Sequence, residues 1–99
     1  MIEVNLQILD QLSRDNEKVF VFFYTEWHDQ SKMMMPNLKK LQTMTDVPIT
    51  LCNADYNLDL ADDFGVRGLP TFGLVVNGKI EKTDSMVKTL DYLLEFIEK

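Results

Sequence analysis

The run VFVFFY, residues 19–24, constrains the fold of this chain more than any other stretch. All six residues are β-branched or aromatic, and no polar residue alternates with them. A strand with one face in water alternates apolar and polar side chains, whereas a continuous apolar run is typical of a central strand covered on both faces. The run therefore predicts an α/β fold with helices on both sides of a sheet.

The remaining pattern predicts the element order β, α, β, α, β, α, β, β, α. Ile2 and Val4 supply a short edge strand, and Asn5 caps a first helix with an apolar face. The later elements are a helix from Asp29 to about Thr43 kinked at Pro36, a strand over 48–53, a helix over 58–64 ended by Gly65, a hairpin of strands 71–76 and 79–82 around Asn77-Gly78, and a last helix over 87–98.

The length and the absence of linker-like or repeated segments predict a single domain spanning residues 1–99, and we expect a monomer. No apolar run approaches the roughly 20 residues that cross a bilayer, and the first residues show no basic segment or cleavage site. We therefore expect no membrane partner and a cytoplasmic location.

Charge and cysteine content exclude several classes of function. The net charge of −6 would repel a phosphate backbone, so nucleic acid is not an expected partner. Cys52 is the single cysteine, so the chain has no internal disulfide and no dithiol pair. His28 is the single histidine and cannot build a zinc site alone. We expect no metal site and no cofactor.

Three motifs in this order make the chain resemble the thioredoxin family over nearly its whole length. VFFYTEWHDQSKMMMP (21–36) is similar to the family's active-site segment, GVRGLPTF (65–72) to its cis-proline loop, and VVNGKI (75–80) to its hairpin. The resemblance implies a thioredoxin fold: a central mixed sheet of four to five strands flanked by helices, with a cis-proline loop before the hairpin. Pro70 would follow the cis peptide bond.

The chain departs from the family at the residues that carry its chemistry. In the alignment on Trp27, the two redox cysteines of the CxxC motif fall at His28 and Ser31. The family's buried aspartate falls at Phe22 and its neighbouring lysine at Leu51. A glycine that the family has after its last strand has no clear counterpart in the segment 84–86. The chain is therefore not expected to be an enzyme.

The resemblance predicts a contact surface rather than a catalytic site. In the family an extended peptide pairs with the residue before the proline, which is Leu69 here. The predicted binding residues are Trp27, His28, Asp29, Leu69, Pro70 and Thr71. We predict a redox-inactive protein-binding or accessory module with a protein or peptide partner. The alternative is a divergent oxidoreductase that uses Cys52 or a cysteine of the partner.

Several residues allow two interpretations. His28 and Ser31 have the spacing of a base and a nucleophile, but no third group orients the imidazole. We therefore favour the interpretation that His28 is an exposed contact residue and that Ser31 fills the space of a thiol. Trp27 is either a contact residue or a ring packed against Asp55.

The methionine run and the aspartates are similarly ambiguous. Helical geometry favours core packing for Met33 and Met34 over a soft-metal site, with Met35 partly exposed. A group of acidic residues lacks the pattern of a calcium loop and is interpreted as a solvated face: Asp55, Asp59, Asp62 and Asp63.

Overall fold

The computed structural model describes all residues from 1 to 99, and its five strands form one mixed sheet in the order β1-β3-β2-β4-β5. The first three are parallel, and β4 runs antiparallel to β2 and β5. The strands are β1 (Ile2–Glu3), β2 (Lys18–Tyr24), β3 (Ile49–Asn53), β4 (Thr71–Val76) and β5 (Lys79–Ser85). The helices are α1 (Leu6–Asp15), α2 (Asp29–Lys32), α3 (Met35–Met44), α4 (Leu58–Asp63) and α5 (Leu90–Glu98).

The central strand β2 is buried on both faces, which confirms the prediction from its unbroken apolar run. Its side chains alternate between two cores, because successive residues of a strand point to opposite faces. Phe20 and Phe22 pack with α3 and α5, whereas Val19, Val21 and Phe23 pack with α1 and α4. The sheet therefore separates two apolar layers, each closed by two helices.

The predicted kink at Pro36 takes the form of a break between two helices. Helix α2 ends at Lys32, and α3 begins at Met35 with Pro36 in its first turn. Proline is tolerated in a first turn because its missing amide has no carbonyl partner there. Within one continuous helix the ring would instead crowd the carbonyl four residues earlier.

The prediction that Met33 packs in the core is wrong. Met34, Leu38 and Leu41 form the buried stripe of this segment, at spacings of four and three residues. Met33 lies one residue off that stripe, about 100° around the helix, and its side chain is exposed. Met34 is buried and Met35 half-buried, as predicted.

The remaining helix and strand boundaries lie within a few residues of the prediction, and the local signals at the ends of elements explain them. Asn5 caps α1 as predicted, since its Oδ1 accepts a hydrogen bond from the Ile8 amide at 2.8 Å. Helix α5 begins at Leu90 because the Thr89 hydroxyl accepts from the Tyr92 amide and ends the preceding extended segment. Asn77 and Gly78 both have positive φ, as the predicted hairpin turn requires. None of the helices combines the length and apolarity needed to cross a bilayer.

Candidate functional site

Trp27 lies at a tip formed by the loops that follow β2 and β3. Its indole N–H donates a hydrogen bond to Asp55 Oδ2 at 2.9 Å, and Asp55 belongs to the turn after β3. The side chain nevertheless remains 69 % exposed. The ring is therefore held against Asp55, as one of the two interpretations predicted, and most of its surface is exposed to solvent.

His28 caps the helix that starts beside Trp27. Its Nδ1 accepts a hydrogen bond from the Ser31 amide at 3.2 Å and lies 3.0 Å from Ser31 Oγ. Because the amide donates to Nδ1, this nitrogen is unprotonated, and the hydroxyl is the donor in the second contact. Asp29 follows as the exposed acidic residue of the first turn, where a negative charge complements the helix dipole.

The His28–Ser31 pair has the distance of a base and a nucleophile but not the setting. Ser31 is fully buried, so an incoming substrate does not reach its hydroxyl. No hydrogen bond within the chain orients the other imidazole nitrogen, which the third member of a catalytic triad would do. The pair is therefore a helix cap, with His28 half-buried rather than fully exposed.

The loop before β4 contains a cis peptide bond between Leu69 and Pro70. Pro70 and Thr71 are buried, and the Thr71 hydroxyl donates to the Gly68 carbonyl at 2.6 Å. Leu69 is half-buried, and neither its amide nor its carbonyl takes part in a backbone hydrogen bond. Of the predicted residues in this loop, Leu69 therefore has free main-chain groups, and the side chains of Pro70 and Thr71 serve the interior.

A groove of about 380 Å³ lies between this loop and the end of β5. Met86 lines it with a φ of 77°, a left-handed conformation that is rare for any residue with a side chain. The Met86 amide donates to the Pro70 carbonyl at 2.9 Å, which ties the two walls together. The conformation costs an L-residue roughly 1 to 2 kcal/mol, and glycine avoids that cost.

Comparison with known proteins identifies the family. A family profile described as Thioredoxin matches residues 3–99. The chain belongs to the thioredoxin family. It is 36 % identical over 77 residues to mitochondrial thioredoxin-3 from Saccharomyces cerevisiae, and the match covers 77 % of this chain and 61 % of that protein.

Other thioredoxins give similar agreement. Thioredoxin 1 from Chlorobaculum tepidum is 33 % identical over 78 residues, which cover 76 % of this chain and 77 % of that protein. The solved structure of a mutant thioredoxin from Halobacterium salinarum superimposes with a TM-score of 0.91 at 32 % identity, over 98 % of this chain and 87 % of that one. The predicted thioredoxin fold is thereby confirmed.

Within this thioredoxin-family chain, the positions beneath the tip are apolar. Phe22 and Leu51, where the resemblance places a buried aspartate and lysine, face each other in the register of β2 and β3. Both are buried and belong to the core that α3 and α5 cover. The interior below the tip therefore has no ionisable pair to take part in proton transfer.

Cys52 lies in the opposite core, among side chains of α1 and α4. Its thiol is fully buried. Burial, and then the negative charges of Glu3 and Asp59, raise the pKa of Cys52 from 9.0 to about 12. Since the thiolate is the reactive form, both the burial and the raised pKa of Cys52 disfavour reaction of this sulfur at neutral pH.

Two features of the site depend on the tertiary structure: the backbone conformation of Met86, and the hydrogen bond that holds Trp27 against Asp55, which was one of the two interpretations of Trp27. Met86 takes the conformation that glycine prefers after the last strand, but a methionine between Ser85 and Val87 does not indicate a positive φ. The hydrogen bond between Trp27 and Asp55 joins residues 28 positions apart, which only the packing of two loops brings together. No group of three or more His, Cys, Asp or Glu side chains is arranged to hold a metal ion.

Proposed function

We propose that this protein is a thioredoxin-family member that does not exchange disulfides and that binds a partner protein at the surface beside cis-Pro70. The observation that carries the proposal is that the chain has one cysteine and that this cysteine is buried. Reducing a disulfide to two thiols takes two electrons and two protons, which the family draws from a pair of cysteines. This chain has Cys52 alone, buried and with a raised pKa.

The binding half of the proposal is supported by main-chain groups that have no partner. Leu69 has a free amide and a free carbonyl next to the groove, and an extended segment of a partner can pair with both as an added strand does. Trp27, His28 and Asp29 supply the side chains of the tip, and Trp27 offers the largest exposed area. Pro70 and Thr71 shape the loop from inside.

A disulfide-reduction assay tests the redox half. The chain is incubated with a protein disulfide and an excess of a small dithiol, beside the double variant His28→Cys/Ser31→Cys. We expect the parent to add nothing to the uncatalysed rate and the double variant to accelerate it, because the fold around these positions is intact. Repeated turnover by the purified parent would overturn the proposal.

A capture experiment tests the binding half. The double variant Trp27→Ala/Leu69→Ala is compared with the parent and with Leu6→Ala/Met44→Ala, which removes two exposed apolar side chains from elsewhere on the surface. We expect the partner bound by the parent to be lost from the first variant alone. Equal capture by all three proteins would remove this surface from consideration.

The burial of Cys52 argues against the alternative, in which this thiol exchanges with a disulfide. That alternative requires a mixed disulfide that forms in the folded chain under oxidising conditions and disappears in Cys52→Ala. We expect no such adduct without denaturant, because an attacking thiolate needs access and a low pKa.

A further inference from the structure

Three large apolar side chains stand in solvent at the end of the sheet where β2 and β3 finish. Trp27 is 69 % exposed, Tyr56 83 % and Leu58 69 %. Tyr56 follows Asp55, which holds the Trp27 indole, and Leu58 is the first residue of α4. We call these three residues the tip patch. The hydrogen bond from Trp27 to Asp55 joins the two loops that carry them, and large exposed apolar side chains grouped in this way mark interaction sites, whereas single ones do not.

The loop that presents Tyr56 is held by hydrogen bonds. Asn53 anchors it, since its Oδ1 accepts from the Asp55 amide at 3.0 Å and its carbonyl accepts from the Tyr56 amide at 3.2 Å. The Asn57 side chain donates to the same carbonyl at 2.9 Å. The Ala54 amide donates to the Tyr24 carbonyl and attaches the loop to the end of β2. The backbone that presents Tyr56 is therefore preorganised, which lowers the cost of ordering this loop on binding.

The two segments that carry the tip patch are acidic, and the first basic residues that follow them are Lys32 and Arg67. The segments 19–31 and 53–66 contain no lysine or arginine. Five of their exposed carboxylates are Glu26, Asp29, Asp55, Asp59 and Asp62, whereas Asp63 lies near Gly78 at the opposite end of the sheet. None of these takes part in the three salt bridges of the chain, which involve Asp10, Asp84 and Glu95. These carboxylates therefore have no ion-pair partner within the chain.

We infer that the tip patch docks a basic, apolar-containing segment of another protein. Apolar side chains of that segment cover Tyr56, Leu58 and the outer face of Trp27. Its lysines or arginines meet the carboxylates, and cations also bind favourably over tryptophan and tyrosine rings. A second copy of this chain, with a net charge of −6 and the same acidic segments, and an anionic membrane or nucleic acid are all repelled.

This inference does not rest on the cis-proline surface, because Tyr56 and Leu58 lie outside it. The two surfaces share Trp27 alone. Because Trp27 belongs to both surfaces, Tyr56→Ser/Leu58→Ser and the single variant Leu69→Ala, which leave Trp27 in place, distinguish the failure of one proposal from that of the other.

Three synthetic 12-residue peptides test the inference on the ¹⁵N-labelled full chain. One combines lysine with leucine and phenylalanine, the second replaces the lysines by glutamate, and the third replaces the apolar residues by serine. At about 50 mM salt, where charge attraction is strong, we expect the first to bind at least about tenfold more tightly than either control. Its NMR shifts should centre on the Trp27 indole, Tyr56 and Leu58 and shrink at high salt.

Matched variants separate the tip patch from general acidity. We expect Tyr56→Ser/Leu58→Ser to weaken the lysine-apolar peptide about tenfold, a loss of about 1.4 kcal/mol. Leu6→Ser/Met44→Ser, which removes two exposed apolar side chains elsewhere on the surface, and Leu69→Ala should leave it unchanged. Asp59→Asn/Asp62→Asn should weaken it more than Asp46→Asn/Asp91→Asn.

Four results would overturn the inference, three of them from the peptide titrations. Those three are shifts that spread over the whole acidic surface, equal binding of the glutamate peptide, and equal weakening by the two serine variants. Concentration-dependent shifts at Tyr56 without peptide would also overturn it, because they would assign the patch to a second copy of the chain.

Discussion

The region beneath the tip and the surface above it follow opposite rules in this protein. Beneath the tip, Phe22 and Leu51 are buried in an apolar core, where the resemblance to thioredoxins places an ionisable pair. Above it, Trp27 stands in solvent, Leu69 has unpaired main-chain groups and Met86 occupies a strained conformation. The interior gains stability where the family places chemistry, and the surface retains features that cost stability.

The difference shows that the free energy of folding explains the residues beneath the tip but does not explain the residues on the surface. A buried carboxylate costs several kcal/mol unless it is paired, whereas burying a phenylalanine stabilises by about 1.5 to 3 kcal/mol. Without thiols to serve, the apolar residues are the more stable choice at Phe22 and Leu51. An exposed tryptophan and a non-glycine residue at positive φ bring no such gain, which favours a binding role for the surface.

The largest expected effect comes from returning a carboxylate to the interior. Phe22→Asp should lower the free energy of unfolding by more than about 4 kcal/mol, because it removes a buried ring and leaves an unpaired acid. Burial raises the pKa of the new carboxyl, so the penalty is smallest below about pH 3.9, its unfolded value, and grows as the pH rises. Urea denaturation at several pH values measures it.

Two further variants define this effect. Phe22→Leu, which keeps the site apolar, should cost less than about 1.5 kcal/mol. Phe22→Asp/Leu51→Lys should be less unstable than the sum of its single variants, because the two charges pair. A stable, pH-independent Phe22→Asp protein would show that the region beneath the tip is more polar than its side chains indicate.

The next effect concerns the sulfur of Cys52. A pKa raised from 9.0 to about 12 reduces the thiolate fraction near pH 8 by about a thousandfold, so alkylation by iodoacetamide should be slower by at least that factor in the folded chain than in urea. Comparable rates in the two states would mean that the thiol is accessible to solvent. They would support the alternative function, in which Cys52 exchanges with disulfides.

The same shift predicts how stability depends on alkaline pH. Because the folded chain disfavours the thiolate, the stability that comes from the neutral thiol is complete below pH 9 and is lost as the pH rises toward 12. Cys52→Ala should therefore flatten the decline of the free energy of unfolding in this range. Some decline remains, since burial and the hydrogen bond to Glu3 also raise the pKa of Tyr24.

A smaller effect is expected at the start of α2. His28→Ala removes the acceptor for the Ser31 amide and should cost about 1 kcal/mol, the usual value of a helix cap. His28→Asn keeps a side-chain acceptor and should recover most of the loss in thermal or urea unfolding. If His28→Asn were as unstable as His28→Ala, the imidazole would matter for packing instead of capping.

The smallest effect has the opposite sign. Met86→Gly should raise the free energy of unfolding by about 0.5 to 1 kcal/mol, because glycine tolerates a φ of 77°. Val87→Gly, at an adjacent position without positive φ, should lower it by a similar amount. A destabilised Met86→Gly protein would mean that the methionine side chain packs usefully in the groove wall.

Sequence patterns predicted most of the fold because the determinants are local. The unbroken apolar run of β2, the Asn5 cap and the Asn77-Gly78 turn each express their physics within a few residues, and all three are found. The exposure of Met33 was missed, because one residue of helical phase decides which side of the segment faces the core. The precise start of α5 depends on a cap that periodicity does not reveal.

The sequence by itself determined that this chain has one thiol and a net negative charge. It also determined that its motifs follow one another at the spacing typical of the thioredoxin family. Only the tertiary structure decided that the Cys52 thiol is fully buried and that the buried Ser31 is inaccessible, with His28 as its cap. It also decided that a hydrogen bond to Asp55 fixes the Trp27 ring and that a methionine adopts a glycine-like backbone. The physical reason is that burial, long-range hydrogen bonds and strain depend on which distant segments meet, and local residue preferences do not specify that.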